Sequence, residues 1–272
     1  MMLGALAGDI AGSVYEFHNI HTQDFPLFSK KCRPTDDSVM TLAIADALLK
    51  SAARGFADLK AQAVASMLSV GRRYPRCGYG GGFRVWMFKQ GDRPEPYGSY
   101  GNGAPMRVSP VGYAARSEDE VIRFSHAVTE VSHNHPRALK AAECTAMGIF
   151  ALRQGCGLKG LKDLVLSRYY ADLPSFEELM EHYEGTQESE DTVKPALSCL
   201  FASDSFKSCL RRCIAIGGDS DTLAAIGCSL AAPCFGVPKE IEDQALAFLD
   251  PFLRQIHSDF MARFDKAPSV QA

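Results

Sequence analysis

The sequence has no excess of positive charge, no C-x-x-C pair, a single tryptophan, and no apolar run of the length that a membrane span needs. Each lack excludes something. With 29 Lys and Arg against 32 Asp and Glu, the net charge is −3. No basic stripe forms, because acidic residues balance local clusters such as Arg72, Arg73 and Arg76, and a nucleic-acid footprint is not indicated. Nine scattered cysteines, an odd number, argue against a disulfide framework and for a reducing compartment, so the cytoplasm is the expected location. Cys209 and Cys213 are one helical turn apart, but no second pair joins them, and they read as small buried apolar residues. The start is apolar but carries Asp9 and Glu16 and no basic leader, which makes a poor secretory signal. Strand signals are few, and no alternation of strand and helix supports a parallel sheet.

Helical periodicity dominates what is present. The chain of 272 residues is 46% apolar, enough for a real core. An all-α fold is expected, as one domain over 1–272 with its core over about 3–264. Residues 2–17 read as a first helix, with Gly4, Gly8 and Gly12 forming a smooth stripe. Glycine costs helix stability, so three in register point to close helix contact. Asp9 and Glu16, seven residues apart, fall on nearly one face of that helix. Residues 36–53 and 57–73 read as amphipathic helices. Cys77–Phe83 is a glycine-rich loop, followed by a short helix over 83–89 and a second loop, Gly91–Gly103. Ser117 to Glu120 reads as a capping box opening a helix to about Val131. Helices are expected from Pro136 to about Arg153, over 158–170 and 176–183, from Ser205 to about Ile216, and from Thr222 to about Pro233. A last long one runs from Pro238 through Phe264.

Two acidic segments carry the chemistry. Thr35-Asp36-Asp37 and Asp219-Ser220-Asp221-Thr222 each stand at the mouth of a helix. A capping role alone accounts for the first. It accounts less well for the second, which brings two carboxylates and two hydroxyls after Gly217-Gly218, where one cap needs one side chain. Four carboxylates close together repel one another unless cations sit between them. All-oxygen ligands select hard ions, and two divalent ions match four negative charges. An EF-hand loop from Asp219 would need Glu where Leu230 stands, and a D-x-D-x-T nucleophile motif fails at Leu223. Glu16 is the candidate catalytic carboxylate. Asp9 reads as a residue that supports the site or helix packing.

These segments, with others between them, resemble the ADP-ribosylglycohydrolases related to dinitrogenase reductase-activating glycohydrolase. The resemblance runs from Leu3 to about Pro238. It rests on Gly8-Asp9-Ile10-Ala11-Gly12-Ser13-Val14-Tyr15-Glu16, Thr35-Asp36-Asp37, Gly78-Tyr79-Gly80, Ser99 through Arg107, Ser132-His133, and Gly217 through Thr222. Each is weak alone, but together and in order they are specific. The stretch 176–195 departs most, with Lys194 intervening after Val193 where relatives tend to place proline, and this touches the acceptor side of the pocket.

The resemblance implies an all-α fold, two Mg²⁺ or Mn²⁺ ions held by Thr35, Asp36, Asp37, Asp219, Asp221 and Thr222, and ADP-ribose as the recognised group. Gly80, Gly81, Ser99, Tyr100, Gly101, Asn102, Gly103 and His133 are the expected substrate contacts. Tyr100 or Phe17 is a stacking candidate, His18 and His21 are placed at the entrance, and His135 is read as structural. The expected partner is an ADP-ribosylated protein or a small ADP-ribose conjugate. No membrane is expected, and nucleic acid enters only as a modified substrate. Two rival readings share the same residues: a non-catalytic ADP-ribose-binding protein, and a dinuclear metal phosphoesterase acting on nucleotides.

Overall fold

A computed structural model describes residues 2–264 of the chain. Among these residues there are fourteen α-helices and no strand. In chain order they are α1 (Leu3–Gly12), α2 (Asp36–Ala52), α3 (Leu59–Gly71), α4 (Gly81–Lys89), α5 (Ser109–Ala114), α6 (Glu118–Thr129) and α7 (Pro136–Arg153). There follow α8 (Gly157–Arg168), α9 (Phe176–His182), α10 (Ser189–Phe201), α11 (Phe206–Ala215), α12 (Ser220–Phe235), α13 (Lys239–Phe248) and α14 (Pro251–Phe264). A single 3₁₀ turn, Pro105–Arg107, precedes α5. One isolated bridge pairs Gly101 with Glu188. Among the described residues, no helix is long and apolar enough to cross a membrane.

The centre of the molecule is the contact between α1 and α12. All ten residues of α1 are buried, and so are Ser220 to Ala232 of α12. The glycine stripe explains how closely they approach. A Cβ on Gly8 would lie 2.1 Å from Ala224 O, and one on Gly12 would lie 2.5 Å from Asp221 Cα. The two backbones touch, and any side chain at those positions would force them apart. This contact sets the end of α1 directly beside the second acidic segment. Cys209 and Cys213 are buried in the core below α12, and all nine cysteines are free thiols.

Several expected boundaries shift. The first helix stops at Gly12 rather than continuing to 17, and Ser13 to His18 form a turn. Ser13 Oγ turns back to Ile10 O at 2.8 Å and accepts the Arg33 N–H at 3.1 Å, so the chain leaves the helical path there. Glu16 therefore does not share a helix face with Asp9. The capping box at Ser117 is half made. Ser117 Oγ accepts Glu120 N–H at 3.2 Å, but the Glu120 carboxylate turns to the Arg116 N–H and guanidinium instead. The last helix is two helices. Asp250 accepts Leu253 N–H at 2.9 Å and Pro251 occupies the first helical position, a start signal inside the expected span. Three elements were not expected: the 3₁₀ turn, α5, and α10, whose interior Pro195 speaks against a helix.

Candidate active site

Two helix mouths meet. Thr35 is the N-cap of α2, its hydroxyl accepting the Asp37 N–H at 3.3 Å, and Asp36 and Asp37 occupy the first turn. Asp219 is the N-cap of α12, with Asp221 in the first turn. Although the segments lie far apart in sequence, Thr222 Oγ1 reaches Asp37 Oδ2 at 3.3 Å across |i−j| of 185. Carboxylate oxygens of Asp9, Asp37 and Asp221 lie within 4.8 Å of one another, and so do those of Glu16, Asp219 and Asp221. Two overlapping groups thus share Asp221.

Each member is placed by an identifiable contact. Asp9 is fully buried on α1 and accepts Thr35 N–H at 2.9 Å, Thr35 Oγ1–H at 2.6 Å and Ser38 N–H at 3.0 Å. Its carboxylate satisfies amides at the mouth of α2 that have no partner within the helix. Asp9 therefore anchors the first acidic segment as well as adding charge to it. Asp36 donates its N–H to Cys77 O at 2.9 Å. Its carboxylate occupies the space that a side chain at residue 78 would fill, because a Cβ on Gly78 would lie 2.7 Å from Asp36 Oδ1, and Gly78 has φ of +121°. Asp219 Oδ2 accepts Asn102 Nδ2–H at 2.8 Å, which joins the second glycine loop to the second acidic segment.

Glu16 stands on the turn after α1, and Asn19 holds that turn. Asn19 Nδ2 donates to Tyr15 O at 2.8 Å, Glu16 O at 3.1 Å and Gly218 O at 2.9 Å, while Asn19 Oδ1 accepts Gly218 N–H at 2.9 Å. Gly217 and Gly218 have φ of +80° and +71°, so the turn that Asn19 grips is one that glycine adopts without strain.

The electrostatics of the site are those of crowded, dehydrated carboxylates. Burial, then the Asp9 charge, pushes the Asp36 carboxyl up to about 8. Burial, then Asp219, pushes Glu16 up to about 7, with Arg33 pulling the other way. Asp37 and Asp221 are raised well above the carboxylate range, again by burial first and then by Asp9 and Asp219 respectively. Among the described residues, no Lys, Arg or His lies within ion-pair distance of any of these six carboxylates. Asp37 Oδ1 is buried with no hydrogen-bond partner. Burying so many carboxylates unpaired is costly. The orphaned oxygen, the hard-donor set and the missing cation together fit a metal site.

The carboxylates open into a cavity of about 250 Å³. Glu16, Asp36, Asp37, Asp219, Asp221 and Thr222 line it, together with Gly80, Gly81, Ser99, Gly101, Asn102, Gly103 and His133. Thr35 is buried behind this wall, and Tyr100 lies outside the lining. The Tyr100 ring, 46% exposed, stands edge-on to His135 at 5.4 Å. Phe17 is 77% exposed beside Glu16 and is likewise outside the lining. His18 and His21 do not line the cavity either; His21 packs near Gly217.

Sequence reasoning missed Phe83, Tyr97, Met106, Arg107 and Gln187 in the lining, and Asn19 behind it. Arg107 stood inside a quoted motif, so its signal was available. Asn19 and Gln187 carried none, because their roles come from contacts distant in the chain. Gln187 lies in the stretch where the resemblance is poorest.

A family model described as ADP-ribosylglycohydrolase matches residues 1–267. The chain is 31% identical to ADP-ribosyl-dinitrogen reductase glycohydrolase of Rhodospirillum rubrum, over 86% of this chain and 84% of that protein. It is 24% identical to ADP-ribosylhydrolase ARH3 of Mus musculus, over 95% of this chain and 90% of that protein. A solved structure titled ADP-ribosylglycohydrolase-related protein complex superposes with a TM-score of 0.72 at 22% identity, covering 96% of this chain and 94% of the other. The chain belongs to the ADP-ribosylglycohydrolase family, whose members are hydrolases acting on glycosidic bonds.

Proposed function

We propose that this protein cleaves the glycosidic bond joining ADP-ribose to an acceptor, using two divalent ions, Mg²⁺ or Mn²⁺. The observation that carries the reading is the meeting of two acidic helix mouths at one cavity with, among the described residues, no protein cation within ion-pair distance of their carboxylates. Asp36, Asp37, Asp219, Asp221 and Thr222 would hold the ions, with Thr35 completing the set from behind the wall. Such ions, when bound, supply Lewis acidity and hold ligand oxygens in place.

The chain's own groups perform the rest. Breaking the bond at the anomeric carbon passes through a state with oxocarbenium character. Water adds its oxygen to that carbon while the acceptor departs with the bonding electron pair. A Glu16 carboxylate oxygen takes the proton that the water sheds, acting as general base. Asp9 and Asn19 keep the two acidic segments and the Glu16 turn in register. Gly80 and Gly81 support close approach of the ligand backbone, because a Cβ at either would meet nothing within 4 Å. Nothing in the protein itself demands glycine there. Their amides open α4, a favourable place for a diphosphate. The acceptor, a protein side chain such as arginine or serine or another conjugate, would sit on the side of Gln187.

The test is incubation with arginine-linked and serine-linked ADP-ribosylated substrates, with Mg²⁺, Mn²⁺ or EDTA, and analysis for free ADP-ribose. Metal-dependent release supports the proposal. ADP-ribose binding without release would point to a non-catalytic binding protein, and release of phosphate to a phosphoesterase.

A further inference from the structure

His133 lies 4% exposed in the cavity wall, with its ring between Tyr97 at 5.9 Å and Phe83 at 6.1 Å. The contacts around its two nitrogens are unequal. At Nδ1 stand Ser132 Oγ at 2.8 Å and Arg107 Nη2 at 3.4 Å, and Arg107 Nη2 also lies 2.8 Å from Ser132 Oγ. A guanidinium nitrogen donates and never accepts. Ser132 Oγ therefore accepts from Arg107, and among the described residues Nδ1 is the one acceptor that meets its hydrogen. With a donor-only group and a committed hydroxyl beside it, Nδ1 is the acceptor, and a neutral imidazole then carries its hydrogen on Nε2. Burial and the positive charge of Arg107 act the same way, holding the ring's pKa well below the usual histidine range.

Nε2 faces the second glycine loop. A Cβ on Gly103 would lie 3.1 Å from it and one on Gly101 would lie 3.8 Å from it. Among the described residues, no protein acceptor meets Nε2. Arg107, itself 1% exposed, keeps Nε and Nη1 without partners. Its guanidinium stands 5.4 Å from the centre of the Phe83 ring, so its orientation is set by stacking as well as by Ser132.

We propose that Arg107 and Ser132 form a one-way hydrogen-bond relay that fixes His133 as the neutral Nε2–H tautomer, and that this Nε2–H donates to a phosphate or ribose oxygen of the ligand beside Gly101 and Gly103. The ligand half of this inference rests on the ADP-ribose reading. The tautomer half does not. Arg107 and Ser132 are positioning residues that act through His133.

The experiment uses the full-length protein labelled with ¹⁵N. Long-range ¹H–¹⁵N correlation reports which ring nitrogen is protonated, with the His133 signals identified by their loss in His133→Gln. The expected result at neutral pH is a protonated Nε2 and a bare Nδ1, with both nitrogens equivalent or reversed in Ser132→Ala. An imidazolium or an Nδ1–H form in the wild-type protein overturns the relay. Binding of ADP-ribose is then compared between two amides. His133→Gln places its N–H near the position of Nε2, and His133→Asn places it near Nδ1. The glutamine variant should stay within about threefold of wild type, and the asparagine variant should bind about tenfold more weakly. Equal losses overturn the donor role. A wild-type protein that binds no ADP-ribose defeats the functional reading instead, while the tautomer is still decided by the spectrum.

Discussion

Asn19 and Gly218 exchange two hydrogen bonds across 199 residues of chain, the side-chain amide donating to Gly218 O and its oxygen accepting Gly218 N–H, each at 2.9 Å. The same amide holds the carbonyls of Tyr15 and Glu16. Glu16 is on a turn and has no helix to fix it, so this one side chain sets its distance from Asp219 and Asp221. Asn19→Ala should lower kcat about tenfold or more through the displacement of Glu16. In a Glu16→Gln background the same change should cost little further activity, since the two act as a unit. Additive losses in the double variant would show that Asn19 works by some route other than Glu16.

The crowded carboxylates make stability depend on pH and metal together. A carboxyl whose pKa is raised in the folded state keeps a proton there that it loses on unfolding. That contribution favours folding below the ordinary carboxylate range. It is lost as pH rises toward the folded value, about 7 for Glu16 and about 8 for Asp36. Asp37 and Asp221 carry the same sign. Metal-free protein should therefore lose Tm steadily between pH 5 and pH 8. Saturating Mg²⁺ or Mn²⁺ should remove most of that slope, because it stabilises the ionised set that high pH produces. A thermal-shift series at several pH values, with EDTA or metal, reads both effects. A metal-free Tm that rises over this window would contradict the account of the site.

The elements that became visible early were those whose cause is local. Thr35 and Ser205 announce helices because a hydroxyl before an apolar-periodic run accepts the first free amides, and both do so here. The stripe of Gly4, Gly8 and Gly12 pointed to a close helix contact, though not to its partner α12. The second acidic segment is legible as unusual, since Asp219 to Thr222 carries more carboxylates and hydroxyls than one cap needs, whereas capping alone accounts for Thr35 to Asp37 until the two are set side by side. What stayed hidden depends on distant contacts. Glu16 looked like a helix residue because nothing in periodicity reveals that Ser13 turns the chain away at Gly12. Asp9 could not be seen as the anchor of α2, because its three donors come from the Thr35–Ser38 segment. Arg107 is marked by its place in the Ser99–Arg107 motif, but its role is not, because Ser132 and His133 meet it only in the fold.

Asp37 sharpens the distinction between folding and function. Its Oδ1 is buried and unpartnered, and its neighbours Asp9 and Asp36 repel it. Asp37→Asn removes a charge without changing the shape. In EDTA at alkaline pH, where wild-type Asp37 has to ionise among its neighbours, the variant should be more stable than wild type, by about 2–4 °C in Tm for each kcal/mol of repulsion relieved. With metal the order should reverse, because the variant loses a ligand and with it most of the metal-induced shift. Turnover should fall to background. A variant less stable than wild type in EDTA at alkaline pH would mean that the Asp37 charge is already balanced within the protein.

Gly78 and Gly80 lie two residues apart in one loop and should fail in opposite ways. At Gly78 an added Cβ meets Asp36 Oδ1 at 2.7 Å, and φ of +121° strains any other residue. Gly78→Ala should cost about 1–3 kcal/mol of stability and displace the Asp36 carboxylate, so that metal affinity falls along with kcat. At Gly80 an added Cβ meets nothing within 4 Å. Gly80→Ala should leave Tm and metal affinity unchanged. If the ligand's diphosphate lies against the mouth of α4, the methyl group then obstructs it and raises KM about tenfold, an amount comparable to the loss of one hydrogen bond. Titration calorimetry with Mn²⁺ separates the two variants from each other, and ADP-ribose binding separates Gly80→Ala from wild type. An unchanged KM in Gly80→Ala would place the ligand away from this loop and return Gly80 and Gly81 to the scaffold.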